Sequence, residues 1–193
     1  MTYRNVAFIG KARSGKDSAG GRLVKHWNYT RVAFADPLKR MALQLNPYIP
    51  TVPGVAVRLE SLIADVGWEY AKDTYPEVRR TLQHAGQTVR EMDEDFWLNI
   101  ALRSIDAAAG WNMPVVVTDC RYPNEAKALQ ARGFMLVRIR RERSFADMTV
   151  AEAGQARHSS ETALDDFPAD QTIINSGTLF HLDTEVDALV MRP

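Results

Sequence analysis

The chain has 193 residues, 46% hydrophobic and 25% charged, with 24 acidic and 24 basic side chains, the make-up of one globular domain with a full core, or at most of one domain carrying a substantial insertion. This charge balance leaves no global field for a nucleic-acid polymer or an anionic membrane, and no apolar run approaches the roughly 20 residues that span a bilayer. The start lacks a signal-peptide pattern, and the lone cysteine, Cys120, allows neither an intramolecular disulfide nor a cysteine-based metal site, so the chain reads as cytosolic.

Val6-Ala7-Phe8-Ile9 is consecutively apolar and predicts a strand, Arg4 to Ile9, buried on both faces. A glycine-rich turn and a helix from Lys16 to about Trp27 follow. Thr30 to Ala35 predicts a second strand, ending at Asp36-Pro37, where proline opens a helix that runs to about Leu45 and stops at Asn46-Pro47. Tyr48 to Val55 contains two more prolines and a glycine and reads as a loop. Helical stretches are expected at roughly Val57–Lys72, Pro76–Arg90 and Glu94–Ala109. Val115-Val116-Val117-Thr118-Asp119 reads as a buried strand. Asn124 to Arg132 reads as a helix with Gly133 as its C-cap. Phe134 to Arg140 and Thr172 to Ile174 complete the strands, and Leu179 to Val190 reads as a closing amphipathic helix. Strands alternating with helices predict an α/β fold with a parallel sheet covered on both faces. The helices between the second strand and Val115 are too long for a simple crossover. They read as an elaboration in which a second substrate binds.

Gly10-Lys11-Ala12-Arg13-Ser14-Gly15-Lys16-Asp17-Ser18 carries the Walker A spacing between a buried strand and a helix. Its glycines let backbone N–H groups wrap phosphate oxygens, and the helix N-terminus adds its positive dipole end. Lys16 would reach the β- and γ-phosphates of ATP. The residue after the lysine is Asp17 rather than Ser or Thr, with the hydroxyl displaced to Ser18. Ser18 is placed to bond a phosphate. Asp17 reads equally as a Mg²⁺ contact through water or as an acid favoured by the helix dipole.

Ligands in open α/β sheets gather beyond the carboxyl ends of the strands. Those ends carry Asp36, then Asp119 and Arg121, then Arg138, Arg140 and Arg141, and finally Asn175-Ser176-Gly177. Arg138 and Arg140 alternate with Val137 and Ile139 and so share a face. Arg141 and Arg143 extend the cluster into the polar stretch Glu142 to Ser160. As a cluster these arginines suit charge developing on a transferring phosphate, whereas each alone is also a solvated strand end. Asp119 resembles a Walker B carboxylate, but Cys120 stands where many motor ATPases place glutamate. No Asn-Lys-x-Asp segment occurs. Both absences count against a motor ATPase and a GTPase switch. Cys120 reads as a buried small residue rather than a nucleophile, and His26, His84 and His181 belong to no constellation. In the helical elaboration, Arg79, Arg80, Gln83 and Arg90 fall at helical spacings ahead of Phe96-Trp97. They offer a base something to stack on and a phosphate something to pair with, or they are salt-bridged arginines and a core tryptophan.

The chain resembles the phage-type deoxynucleoside monophosphate kinases. The likeness rests on the Gly10–Ser18 loop, Phe34-Ala35-Asp36-Pro37-Leu38-Lys39, Leu82-Gln83-His84-Ala85-Gly86 with Arg90 and Phe96-Trp97, and Val117-Thr118-Asp119-Cys120-Arg121-Tyr122-Pro123-Asn124-Glu125-Ala126. His158-Ser159-Ser160-Glu161 and Asn175-Ser176-Gly177 follow in the family order. The resemblance implies a P-loop NTPase fold, three-layer α/β/α with a five-stranded parallel sheet. It implies a single kinase domain over 1–193, with 37–111 as the helical monophosphate-binding region and about 142–160 as a lid. It implies transfer of the γ-phosphoryl group of ATP, with Mg²⁺, to a dNMP. Lys16, with Arg13, Arg140 and Arg141, would serve catalysis. Asp36, Lys39, Gln83, Arg90, Trp97, Asp119 and Arg121 would serve the acceptor, and Asn175 with Gly177 would border the adenine. A phage-encoded chain would act in the host cytoplasm, and a homodimer is left open. The rival readings are a P-loop kinase for another phosphorylated acceptor, such as phosphomevalonate, and a nucleotide-binding regulatory protein without turnover.

Overall fold

The computed structural model describes residues 3–141 and 162–191. The chain divides into two compact units, Met1–Ala33 with Ala101–Pro193, and Phe34–Ile100. The expected lid at about 142–160, with Arg143 and the His158–Glu161 segment, lies outside the described residues. Among the described residues, no helix is long and apolar enough to cross a membrane.

The first unit is built on strands β1 (Val6–Ile9), β2 (Thr30–Val32), β5 (Val115–Val117), β6 (Met135–Arg140) and β7 (Gln171–Ile174). They form one sheet in the order β2-β5-β1-β6-β7, with every pairing parallel. The expected five-stranded parallel α/β core is therefore present. One face of β1 and β6 (Val6, Phe8, Met135, Val137, Ile139) joins Ala19 and Leu23 of helix α1 (Lys16–Trp27) and Leu182, Val186 and Leu189 of helix α7 (Leu179–Met191) in a single core cluster. The alternate residues Ala7, Ile9 and Leu136 are buried on the other face. Helix α6 (Pro123–Ala131) packs on β6. Burial on both faces is why β1 and β5 read as unbroken apolar runs. The left-handed Gly133 (φ 76°) ends α6 as expected.

An ionic clamp joins α1 to α7. Arg22 Nε and Nη2 donate to the two carboxylate oxygens of Asp187 at 2.9 and 2.6 Å, and Trp27 Nε1 donates to the same carboxylate at 2.7 Å.

The second unit holds helices α2 (Ala35–Leu45), α3 (Leu59–Thr74) and α4 (Pro76–Met92), and the first residues of α5 (Phe96–Gly110). Its core gathers Ala42, Ile49, Leu59, Leu62, Ala71 and Val78. Three local expectations need correction. Tyr48 to Val55 is no loop: β3 (Tyr48–Val52) and β4 (Val55–Arg58) pair as an antiparallel hairpin across Pro53-Gly54. A two-stranded ribbon leaves each strand with a free edge, where the missing N–H of Pro50 costs no ladder bond. Ile49 anchors this hairpin in the unit's core. The second strand stops at Val32, and α2 starts at Ala35, so Asp36 and Pro37 lie inside its first turn, where the N–H that proline lacks has no intrahelical partner anyway. Helix α3 is broken at Gly67, whose φ of 75° and ψ of 165° suit glycine alone.

Candidate functional site

Strand β1 delivers the chain to Gly10 from the middle of the sheet, where the strand order reverses on either side. Gly10 sits at φ 137°, and a Cβ there would fall 2.3 Å from the carbonyl oxygen of Ile139. Arg13 is left-handed at φ 59°. Gly15, at φ 109°, would bring a Cβ to 2.6 Å from Asn175 Nδ2 and 3.2 Å from Leu182 Cδ2. Glycine is therefore required at both ends of the loop by space as well as by backbone angle. The loop is held from outside too: Asn175 Nδ2 donates to the Ser14 carbonyl at 2.9 Å, and Lys11 pairs with Asp165 at 3.3 Å.

Lys16 opens α1 and is 8% exposed. Its ammonium donates to the carbonyls of Gly10 and Lys11, both at 2.6 Å. The lysine is thus folded over the inside of its own loop, at the place where the loop's glycines leave room for phosphate oxygens. Asp17 and Ser18 are exposed in the first turn of α1, while Ala12 and Arg13 are exposed on the loop. Ser14 Oγ and Thr118 Oγ1 are buried without a hydrogen-bond partner. Buried hydroxyls are seldom left so. Thr118 directly follows β5 and faces α1 so closely that a Cβ on Gly20 would lie 2.2 Å from its methyl carbon.

Beyond β5, Asp119 and Arg121 are half-buried on either side of the buried Cys120. Burial, then the nearby Glu125 and Asp119 carboxylates, pushes the Cys120 thiol well above its ordinary range, which leaves it inert as a nucleophile. Arg138 and Arg140 do share a face of β6, but their surroundings differ. Arg138 donates to the Leu164 and Phe167 carbonyls and secures that turn. Arg140 and Arg141 are exposed at the strand end. The backbone N–H of Asn175 donates to the Arg140 carbonyl at 2.7 Å, and Gly177 lies exposed in the turn that leads to α7. The first unit thus gathers the loop, Asp119, Arg121, Arg140, Arg141, Asn175 and Gly177 around the carboxyl edge of its sheet.

In the second unit, Asp36 and Lys39 lie one turn apart on α2 and are half-buried. Lys39 Nζ lies 5.7 Å from the ring centre of Trp68, a residue that sequence reasoning missed. The break at Gly67, just ahead of it, was its only local signal. On α4, Gln83 is exposed, whereas the Arg90 side chain is only 10% exposed and lies 3.7 Å from Glu94. Gly86 lets α4 approach α2, because a Cβ there would be 3.0 Å from Leu38 Cδ2. Trp97 is 6% exposed, and its indole N–H donates to the Gly86 carbonyl at 3.2 Å. It meets Phe96 edge to face at 4.9 Å. Of the two readings of this pair, Trp97 takes the core one. Arg79 and Arg80 pair with Asp73 and Glu77, the salt-bridged alternative.

The donor set suits Mg²⁺. Among the described residues, no three His, Cys, Asp or Glu side chains cluster, and Mg²⁺ normally takes only one or two carboxylates, completing its shell with water and phosphate oxygens. Asp17 and Ser18, which directly follow the loop in the first turn of α1, and Asp119 and the unpartnered Thr118 hydroxyl, which directly follow β5, are hard oxygen donors.

A family model described as deoxynucleotide monophosphate kinase matches residues 55–186. That span includes Asp119, Arg121 and Asn175 and begins after the phosphate loop. The uncharacterized protein ORF77 of Ictalurid herpesvirus 1 (strain Auburn) is 32% identical over 117 residues, covering 60% of this chain and 49% of that protein. The chain thus spans about half the length of the curated relative it matches. Among solved structures, the dephospho-CoA kinase from Campylobacter jejuni has a similar fold, with a TM-score of 0.53 at 12% identity over 97% of this chain and 96% of that one. Shikimate kinase from Aquifex aeolicus aligns over 95% of this chain and 94% of that one, at 12% identity and a TM-score of 0.43.

Proposed function

Because the chain belongs to the deoxynucleotide monophosphate kinase family, we propose that it transfers the γ-phosphoryl group of ATP to a deoxynucleoside monophosphate, giving ADP and a dNDP. The observation that carries this reading is Lys16 folded on the carbonyls of Gly10 and Lys11, inside a loop that requires glycine at both Gly10 and Gly15.

The amides of Gly10 to Ser18 take the phosphate oxygens of ATP, with the N-terminus of α1 behind them. On binding, Lys16 exchanges its two carbonyl partners for β- and γ-phosphate oxygens, an ammonium–phosphate contact stronger than the neutral ones it leaves. Arg13, Arg140 and Arg141 offset charge as it spreads over the transferring group. Asn175 and Gly177 shape the adenine side, Asn175 through its hold on the loop. Asp36, Lys39, Gln83, Arg90, Asp119 and Arg121 serve the acceptor, with Lys39, Gln83 and Arg90 belonging to a monophosphate-binding region over 37–111. Trp97 contributes by tying α5 to α4 through Gly86 rather than by offering its ring. Mg²⁺, when bound, neutralises phosphate charge and polarises the transferring group. Asp17 through water, with Asp119, would hold it. A monophosphate acceptor is already ionised, so the site needs positioned charge more than a general base.

Two alternatives are settled by one assay. ADP release is followed with no acceptor, with each dNMP and NMP, and with phosphomevalonate. Release driven by several dNMPs is expected. Release driven by phosphomevalonate alone identifies the related kinase, and none with any acceptor identifies a nucleotide-binding regulator.

A further inference from the structure

We infer that Glu125 is a positioning residue for Arg121: its buried carboxylate fixes the backbone that presents the Arg121 guanidinium to the acceptor. The inference rests on the acceptor-side role proposed above for Arg121.

Glu125 is 3% exposed, the deepest carboxylate among the described residues. One of its oxygens, Oε2, accepts from two backbone N–H groups, Arg121 at 2.8 Å and Tyr122 at 3.1 Å. The second of these bonds is ordinary for the third residue of a helix. Tyr122 is the N-cap of α6, it offers no short side-chain acceptor, and a glutamate three residues on reaches back to its N–H. The bond to Arg121 is different, because Arg121 lies before the cap and its N–H is not one of the helix's own orphan donors. Burying a carboxylate is costly unless it is hydrogen-bonded. Here the bonds that offset that cost reach out of the helix and into the segment that follows β5.

That segment is short and held at both ends. At its start, the methyl group of Thr118 is packed against Gly20, with no room for a Cβ between them. At its end, Glu125 holds Arg121 and Tyr122. Cys120 is buried between the two anchors. Asp119 and Arg121, the half-buried polar residues of the stretch, therefore stand on backbone that is fixed before any ligand arrives. An arginine loses rotamer freedom on gripping a phosphate. A fixed Cα limits that loss to the side chain, which is the benefit of preorganisation. The carboxylate acts on Arg121 and Tyr122 through geometry, because the oxygen that accepts from both N–H groups could equally be an amide oxygen.

Steady-state kinetics of Glu125→Gln, Glu125→Ala and Glu125→Asp, corrected for folded fraction by thermal melting, test this. Glu125→Gln keeps an oxygen acceptor, and the KM values for dNMP and ATP should stay within about threefold of wild type, well under the loss of a charged hydrogen bond. Glu125→Ala should raise the dNMP KM by about tenfold or more while leaving the ATP KM nearly unchanged. Should the alanine variant not fold, Glu125→Asp, which draws the oxygen back by one methylene, should show the same rise for dNMP alone. Wild-type kinetics in both shortened variants, an equal rise for ATP and dNMP, or a glutamine variant as damaged as the alanine one would overturn the proposal. If the wild-type protein turned over no dNMP, the proposed function would fall and amide hydrogen exchange would decide the positioning claim. Arg121 and Tyr122 should be protected in wild type and Glu125→Gln and exchange faster in Glu125→Asp. Equal exchange in all three would overturn it.

Discussion

Asn175 donates its side-chain amide to the carbonyl of Ser14 at 2.9 Å from a position only 7% exposed to solvent. The end of β7 thereby reaches across to the phosphate loop, while the backbone N–H of the same residue is bonded to Arg140 at the end of β6. The contact explains why Gly15 must be glycine, since a Cβ would collide with this amide. It also gives Asn175 a role distinct from bordering a base. It holds the loop's shape before nucleotide arrives.

Replacing Asn175 should therefore affect ATP more than the acceptor. Asn175→Ala leaves a buried carbonyl without its donor, a loss of about 1–3 kcal/mol, and should lower the melting temperature and raise the ATP Kd. Asn175→Asp turns a carboxylate oxygen toward the Ser14 carbonyl and should be worse than alanine. Calorimetric titration with ATP, together with melting curves, checks both. Unchanged ATP affinity in the two variants would contradict the bracing role.

The close approach of Gly20 to Thr118 predicts a specific rescue. Gly20→Ala places a methyl group where the Thr118 methyl carbon already lies, 2.2 Å from the ideal Cβ position. Overpacking of this kind costs about 1–3 kcal/mol. Thr118→Ser removes that methyl and keeps the hydroxyl, so the double variant should be more stable than Gly20→Ala alone. Urea unfolding of the four proteins measures the coupling. Additive effects would mean that the two residues do not meet.

Sequence alone made the sheet legible, because strands buried on both faces, such as Val6–Ile9 and Val115–Val117, leave unbroken apolar runs. The loop was legible because Walker A spacing carries its own chemistry. The hairpin at Tyr48–Arg58 was not. Prolines that break an interior strand are tolerated in a two-stranded ribbon with two free edges, and only the placement of Ile49 in the unit's core reveals the pairing. Trp97 reads in the sequence as either ring platform or core residue, and its burial and its N–H on Gly86 appear only in the structure. Arg138 and Arg140 look alike in the sequence. The turn carbonyls at Leu164 and Phe167, distant in the chain, separate them. Glu125 stood within a recognisable segment, but its second hydrogen bond depends on how the backbone turns after β5.

The clamp between α1 and α7 should make stability depend on pH in the acid range. The hydrogen bond from Arg22, with a further one from Trp27, holds the Asp187 carboxyl below the usual range against the opposing effect of burial. A carboxyl depressed in the folded state adds stability above its unfolded pKa of about 3.9, and loses it as pH falls through the folded value. Arg22 stays charged throughout. The stability gap between wild type and Asp187→Asn should therefore be full near about pH 6 and shrink below about pH 4. Urea unfolding across that range measures the gap, and a constant difference would show that the carboxylate charge is not used.

Transfer of a phosphoryl group to a dNMP by this loop and Lys16 is what the proposed function requires. Its most direct test supplies γ-labelled ATP, Mg²⁺ and a single dNMP, and separates the products. Label in the dNDP is expected with wild-type protein, and nearly none with a folded Lys16→Ala variant that lacks the ammonium acting on the transferred group. Label found only in inorganic phosphate, or dNDP formed equally well without the Lys16 ammonium, would contradict it.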